Sequence, residues 1–308
     1  MANLYIETYR GFCNGSSLFS KGRVLRNYTP VLNNGHSLRK TLWNNIRKLY
    51  SKKARNHPVT IKAENLEYST QTDSQAYYRV ETDYSPFKPN EHTRWEKADI
   101  ICMSNETYTT DILMPGKSAR YGIISDIDDT ILITYVHSKL KMLYLSLFKN
   151  PWQRLSPDYA SEWINALSEN LMQPVFYISN SPWNFYEGIS LFLEHYHFPK
   201  GPVLLRDFGF YLFKKPYEFT HHKKIQIERL FQYYPSLSFI LIGDAVERDP
   251  FIYFEILIKF PGQVKHIYIK ETKSKRKMRP LLKRKDILNH PKFTLISSYE
   301  YAWVHHLH

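Results

Sequence analysis

Tyr121-Gly122-Ile123-Ile124-Ser125-Asp126-Ile127-Asp128-Asp129-Thr130 is the stretch on which the reading of this chain turns. A short β-branched run followed at once by carboxylates and a hydroxyl predicts a buried parallel strand, Tyr121–Ser125, that ends in an acidic turn. Open α/β sheets hold their ligand sites at such carboxyl ends. Asp126 and Asp128, with one residue between them on a turn, can face one cation while one acts as a nucleophile and the other moves a proton. Like charges that close repel and drive one group to protonate. A divalent metal removes that penalty.

Working outward, apolar strands alternate with longer helical patterns from Tyr121 onward. Further strands are expected at Pro174–Ser179, Val203–Leu205, Ser238–Ile242 and His266–Lys270, and amphipathic helices at Asp158–Leu171, Phe185–His195, Lys223–Tyr233 and Pro250–Phe260. That alternation predicts a mostly parallel sheet covered by helices on both faces. Ahead of residue 118 the pattern is different. Runs such as Val59–Ala63, Gln75–Val80 and Asp99–Met103 are rich in β-branched and aromatic residues and separated by polar punctuation, which predicts a small β-sandwich or barrel-like unit. A helical spacing at His36–Lys53 (Leu38, Leu42, Ile46, Leu49) interrupts it, and Pro115-Gly116-Lys117-Ser118 carries a linker signal. The expected organisation is a β-rich domain over residues 1–118 and an α/β domain over 119–308 that ends in a basic segment.

With 308 residues, 43% of them hydrophobic and 16% aromatic, the chain has ample material for folded cores, which excludes overall disorder. No apolar run approaches the roughly 20 residues of a membrane-spanning helix, and Met1–Glu7 lacks the pattern of a secretory signal. Cys13 and Cys102 are too few for a disulfide framework, so a reduced, cytoplasmic setting is expected and neither has a catalytic role. The formal charge of +13 is uneven: nine Lys or Arg and one acid, Glu271, lie between Lys270 and Lys285. Such a patch suits an anionic lipid surface or nucleic acid, or is a solvated loop. No basic-aromatic platform accompanies it, so nucleic acid is not an expected partner.

Four elements at strand ends or helix starts carry candidate chemistry: the acidic turn; Tyr177-Ile-Ser179-Asn180-Ser181-Pro182-Trp183; His221-His222-Lys223-Lys224, opening a helix; and Ile240-Leu-Ile-Gly243-Asp244 followed by Glu247-Arg248-Asp249. Backbone N–H groups and a hydroxyl in the second can hold phosphate oxygens, a lysine in the third can neutralise a transferring phosphoryl group, and the carboxylates of the fourth suit an oxygen-seeking ion such as magnesium. Each alone is commonplace, and Gly-Asp at a strand end or a serine before a helix is ordinarily structural. The ordered set resembles the haloacid-dehalogenase-type phosphatases, whose first motif is Asp-x-Asp-x-Thr, here Asp126, Asp128 and Thr130. Ile124–Thr130, Ser179–Trp183, His222-Lys223 and Leu241–Asp244 with Glu247–Pro250 and Tyr253 are similar to the App1 group of Mg2+-dependent phosphatidate phosphatases. Fainter echoes are Tyr9–Phe12, Gly22–Leu25, Leu205-Arg206-Asp207 and Phe260–Val264 before Ile267–Ile269. The chain departs from the family at Ala245-Val246, where the fourth motif usually carries Ser-Gly, and shows no familiar pattern after Lys270.

The resemblance implies a HAD-like Rossmannoid three-layer fold with a parallel sheet, and Asp126 as the nucleophile forming an aspartyl phosphate. It makes Asp128 the acid that protonates the leaving alkoxide and then activates water. It also implies Mg2+ held by Asp126, the backbone carbonyl of Asp128, and Asp244, with Asp249 or Glu247 in support. Ser179 and Lys223 would hold phosphoryl oxygens, with Lys224 the alternative to Lys223 and Asn180 and Thr130 beside the substrate. Asp129 is expected as a turn residue, and Thr130 as a support for the nucleophile's backbone. The implied substrate is phosphatidic acid, cleaved to diacylglycerol and phosphate. A basic amphipathic run within His137–Ala160 (Leu140, Leu143, Tyr144, Leu147 and Phe148 with Lys139, Lys141 and Lys149) would suit peripheral contact with an anionic membrane, or equally an ordinary core helix. Two other readings stand beside this one: the same chemistry on a soluble phosphomonoester, such as a sugar phosphate, nucleotide or phosphopeptide, and a non-catalytic binding protein on the same fold.

Overall fold

A computed structural model describes residues 4–28, 51–102, 107–133, 155–206 and 217–306. The first strands, in chain order, are β1 (Leu4–Cys13), β2 (Leu18–Arg26), β3 (Lys52–Lys53), β4 (Pro58–Ala63), β5 (Leu66–Gln71), β6 (Tyr77–Thr82), β7 (Arg94–Cys102) and β8 (Thr107–Met114). They form one sheet in the order β3-β2-β1-β8-β7-β4-β5, with β6 also on β2. Every pairing is antiparallel except β1 with β8. The sheet curls until its two ends approach: the Thr70 hydroxyl of β5 donates to the Arg79 carbonyl of β6 at 3.4 Å. Of the two expected forms, the sandwich gives way to the barrel-like one: a single curled sheet around one core, which includes Ile6, Val24, Ile61, Val80, Ile100 and Ile112. Lys52–Lys53, placed by periodicity at the end of a helix, is a short strand; the rest of His36–Lys53 lies outside the described residues, as do Met103, Asp207 and 137–154.

The second sheet is parallel throughout. Its strands are β9 (Gly122–Asp126), β10 (Val175–Pro182), β11 (Val203–Arg206), β12 (Phe239–Asp244), β13 (Val264–Lys270) and β14 (Phe293–Ile296), in the order β11-β10-β9-β12-β13-β14. Helices α1 (Ala160–Ser168), α2 (Tyr186–His195), α3 (Tyr217–Tyr233), α4 (Asp249–Lys259), α5 (Lys275–Leu282), α6 (Lys285–Leu288) and α7 (Tyr299–His306) complete it. Because successive strand residues face opposite sides, Ile123, Tyr177 and Ile242 pack with α1, α2 and α7, whereas Ile124, Phe176 and Leu241 pack with α3, α4 and α5. Burial on both faces explains why these strands read as nearly unbroken apolar runs. The chain runs outward from β9 to β10 and β11, then returns to the other side of β9 as β12. The order therefore reverses between β9 and β12, and a crevice opens at that place in such sheets.

The two sheets share their cores. Phe12, Phe19 and Leu113 of the curled sheet lie in the same buried cluster as Phe176 and Tyr234, and Tyr9 stacks on Trp183 with ring centroids 4.5 Å apart. The Tyr234 hydroxyl donates to the Cys13 carbonyl (3.0 Å), and the Arg10 amide donates to the Tyr186 hydroxyl (2.8 Å). The linker signal at Pro115–Ser118 marks a segment that is tied down: Lys117 N–H donates to the Asn90 carbonyl (2.9 Å) and Ser118 N–H to the Glu91 carbonyl (3.0 Å). Cys13 and Cys102 are both buried and form no disulfide, and burial pushes the Cys13 thiol up to about 12, which suits an inert core position.

His266 on β13 is half-buried, bonded to the Thr294 hydroxyl at 2.8 Å. Burial, then His290, Lys265 and Lys292, push it down to about 4. Between its unfolded value of about 6.5 and that depressed value, the unfolded chain binds a proton that the folded chain refuses, so this contribution to stability is complete above pH 6.5 and lost as pH falls towards 4. Replacing His266 with Gln should remove about 1–2 kcal/mol of the acid-side loss, once its partial exposure is allowed for. Urea denaturation of both proteins at neutral and mildly acidic pH checks this; parallel curves with a constant offset would rule it out.

Candidate active site

Strand ends at the reversal point assemble the acidic residues. Asp126 ends β9 and Asp244 ends β12, the adjacent strand, while Asp249 opens α4 directly beyond the loop that follows. Asp126 and Asp249 are fully buried, and Asp244 is 1% exposed. Carboxylate oxygens of the three lie within 4.8 Å of one another. Gly243 makes room for this: a Cβ there would stand 2.6 Å from Asp249 Oδ2 and 2.8 Å from the Tyr253 ring. Downstream of Asp126 the chain folds into a tight turn, with Ile131 and Leu132 amides donating to the Ile127 carbonyl at 3.0 and 2.9 Å. Asp129 takes the left-handed conformation there (φ 60°), one that Asp tolerates better than most residues.

Lys223 is the cation at the centre. It is 1% exposed, and its Nζ lies 2.7 Å from Asp126 Oδ1, 2.6 Å from Asp249 Oδ1 and 2.9 Å from Glu247 Oε2. Burial opposes its charge, but Asp126, Asp249 and Glu247 outweigh that and hold the ammonium well above the usual lysine range. Burial, partly offset by Lys223, drives Asp126 far above the ordinary carboxylate range. Burial and then Asp249 push Asp244 up to about 8. Glu247 is held below its usual value: Lys223 overcomes the effect of burial, and Asn180 and Lys277 assist. One ammonium therefore faces an excess of carboxylates, and the buried ones resist ionising together.

That excess is the physical case for a cation. Asp126 Oδ1 is buried and makes no aligned hydrogen bond despite the nearby Lys223 ammonium. A buried set made only of carboxylate oxygens suits a hard divalent ion such as magnesium. Asp126, Asp244 and Asp249 are the residues that would hold it.

Asp128 stands apart from this trio. Its Oδ2 accepts hydrogen bonds from the Ser179 hydroxyl (2.5 Å) and the Ser181 hydroxyl (3.1 Å). Burial raises its carboxyl, opposed by the Ser179 bond. The Ser179 hydroxyl, expected to face phosphate oxygens, instead orients Asp128 and accepts the Ser181 amide at 2.8 Å. Ser181 was missed, although spacing of two on an extended strand puts both hydroxyls on one face. That strand runs on through Pro182, so Ser179 does not cap a helix. Thr130 is buried, its hydroxyl 3.0 Å from Asp126 Oδ2 and 3.2 Å from Asp244 Oδ2, so it links the carboxylates rather than facing a substrate. Asn180 donates to Glu247 Oε2 at 3.1 Å, on the site's rim.

Two further expectations are corrected. Lys224 is not brought in: one residue's rotation about α3 turns it outward to Glu255, 3.1 Å away. The helix also starts at Tyr217, so Lys223 projects from its second turn instead of opening it. The Ala245-Val246 departure has a main-chain answer, because Asp244 Oδ1 accepts the amides of Val246 and Glu247, donors that any non-proline residue supplies. Tyr253, quoted with the motif but given no role, donates to the Ile242 carbonyl at 3.3 Å and lies under Gly243. Tyr299 of α7 is a fully missed contributor: its hydroxyl donates to the Thr130 carbonyl at 3.2 Å, and its ring lies 5.4 Å below the Lys270 ammonium. It stands in a segment with no pattern, so nothing in the text marked it.

Residues 121–271 match the family model described as phosphatidate phosphatase APP1, catalytic domain. The phosphatidate phosphatase APP1 of Saccharomyces cerevisiae is 29% identical over 239 residues, 73% of this chain and 40% of that protein. An uncharacterized protein of Schizosaccharomyces pombe is 23% identical over 215 residues, 68% of this chain and 35% of its own length. The chain thus spans 40% or less of the curated relatives it matches. Among solved structures, a chain of the Pnkp1/Rnl/Hen1 complex aligns with a TM-score of 0.31 and 14% identity over 58% of this chain and 50% of that one, too slight a likeness to bear on the fold. Residues 121–271 are thus similar to the catalytic domain of APP1 phosphatidate phosphatases.

Proposed function

We propose that this protein is a Mg2+-dependent phosphatidate phosphatase that releases diacylglycerol and phosphate through an aspartyl-phosphate intermediate, on a HAD-like Rossmannoid unit spanning residues 119–308, with residues 1–118 as a supporting β-rich domain. One observation carries the reading: Asp126 and Asp244 end neighbouring parallel strands beside Asp249, with Lys223 buried among them, within the region matched by the APP1 catalytic-domain model. The substrate follows from that match and from the name of the yeast relative.

A carboxylate oxygen of Asp126 attacks phosphorus; the new P–O bond forms as the ester P–O bond breaks, and the leaving diacylglycerol oxygen takes the proton of Asp128. The Ser179 and Ser181 hydroxyls both donate to Asp128 Oδ2, so its Oδ1 carries that proton. Asp128 then removes a proton from water, which attacks the same phosphorus and frees Asp126. Thr130 and Lys223 keep the nucleophile aimed. When bound, Mg2+ would neutralise charge on the phosphoryl oxygens and on the buried carboxylates. No helix among the described residues is long and apolar enough to cross a membrane, and the proposed enzyme meets its substrate from the cytoplasm as a peripheral protein.

Asp126→Asn removes the attacking charge at nearly constant volume, so turnover should fall at least about 10³-fold while the fold persists. Asp128→Asn should be similarly slow, with phosphorylated protein accumulating if leaving-group departure outruns hydrolysis. Rapid-quench labelling and circular dichroism check both, and near-normal turnover in Asp126→Asn would end the mechanism.

Phosphate release from phosphatidate vesicles should require Mg2+ and stop with chelator, and it should far exceed release from p-nitrophenyl phosphate. Equal turnover of the two substrates would favour a soluble phosphomonoester. Tyr299→Phe, which removes the bond to the Thr130 carbonyl, should lower kcat about 3- to 10-fold with KM little changed. Steady-state kinetics beside a melting curve test it; unchanged kcat would assign Tyr299 to packing alone.

A further inference from the structure

The basic stretch after β13 is a helix fixed beside the site, not a solvated loop. Helix α5 (Lys275–Leu282) is anchored by Met278 and Leu281, both buried in the core cluster on the α3–α4 side of the sheet. Its remaining surface is cationic. Lys275, Arg276 and Arg279 are exposed on it, Lys273 and Lys283 are exposed immediately before and after it, and Leu282 is 49% exposed among them. None of these cations makes a salt bridge among the described residues; by contrast, Arg284 is committed to Asp286 at 2.6 Å. The first turn holds Lys275, Arg276 and Lys277 and no acid. Cations there oppose the helix dipole, where acids would support it. Neither helix stability nor local pairing accounts for the charges.

Position supplies the rest. Strand β13 ends at Lys270, in register with Asp244, and α5 begins five residues later, on the same edge of the sheet as the carboxylates. Lys277 is near enough for Glu247, itself 2.9 Å from Lys223, to feel its charge. The cationic face therefore lies on the Glu247 side of the acidic cluster, at the strand-end edge of the sheet.

We propose that α5 and its flanks, Lys273 to Lys283, form the surface on which this protein docks to an anionic bilayer, with Leu282 entering the interface and the catalytic opening held against the lipid headgroups. This rests on the phosphatidate reading for its biological purpose, although docking itself does not require it. A row of unpaired cations beside one exposed leucine complements an anionic surface, where each cation near the membrane strengthens partitioning. The exposed positions of α5 carry no aromatic ring on which nucleic-acid bases could stack.

The test uses the full-length chain, a variant with Lys275→Glu, Arg276→Glu, Arg279→Glu and Lys283→Glu, and a milder one with the same residues changed to Gln. These residues lie outside the catalytic set. Partitioning onto vesicles of phosphatidylcholine with phosphatidylserine should fall on the order of a hundredfold in the Glu variant and less in the Gln variant. Added salt should weaken the parent protein's binding in the same direction. Phosphatidate in neutral detergent micelles should be hydrolysed as before, and phosphatidate in anionic vesicles much more slowly. Parent-like vesicle binding by both variants would overturn the proposal, as would tighter binding of the parent protein to single-stranded RNA than to these vesicles. If no phosphatidate is cleaved in either format while vesicle binding still follows the charge, the substrate reading fails and the docking surface stands.

Discussion

One ammonium among too many carboxylates governs this molecule. Lys223 is 1% exposed and lies within 2.9 Å of oxygens from Asp126, Glu247 and Asp249. A buried charge pair contributes little net stability when complete, yet removing one partner typically costs about 3–5 kcal/mol. The fold around Lys223 must therefore be over-determined, and it is. Thr130 links Asp126 to Asp244, main-chain amides hold Asp244, and the Asp244 amide reaches Asp249 Oδ2 at 3.4 Å. A residual excess of negative charge persists after all of these contacts, and the proposed Mg2+ would offset it.

Much of the supporting framework is main chain. Asp244 is oriented by the amides of the next turn, and Asp126 sits at the base of a turn closed by backbone bonds to the Ile127 carbonyl. Orientation by main chain tolerates sequence change, which is why Ala245-Val246 can replace the more usual residues without displacing Asp244. Asp128 is instead oriented by side-chain hydroxyls, those of Ser179 and Ser181. Asp126, the proposed nucleophile, is held at the sheet, and Asp128, the proposed proton-transfer group, is held by two rotatable hydroxyls.

Most of the parallel sheet was legible because its strands are buried on both faces and read as apolar runs, with β9, β10 and β12 ending in candidate site residues. Strand β14 was not legible, because Phe293–Ile296 is short and only its end residues are fully buried. Helix starts were misjudged for α3, whose first turns, beginning at Tyr217, lack an apolar period that extends the Ile225–Tyr233 stripe. The curled sheet reads as a sandwich, since alternation reports two faces without reporting whether one sheet or two supply them. Candidate carboxylates and Lys223 were recoverable from motif order. The partner of each hydroxyl was not: Ser179 could point to phosphate or to Asp128, and only three-dimensional proximity selects. Tyr299 belongs to the same class, joined to Thr130 across 169 positions of chain.

The reversal of strand order between β9 and β12 has a consequence for how the polypeptide matures. Strand β9 emerges from the ribosome early, but the neighbour that encloses its acidic end comes much later; Thr130 and Asp244 are separated by 114 positions. Without β12 and α4 the acidic end of β9 lacks the neighbours that bury it, and burial is the largest cause of Asp126's raised carboxyl. Long-range pairing of this kind is slow to form. In chain order the carboxylates can meet only once β12 and α4 have joined the sheet, and α3 with Lys223 precedes both. Chain order thus brings the counter-charge before the repulsion that it must offset.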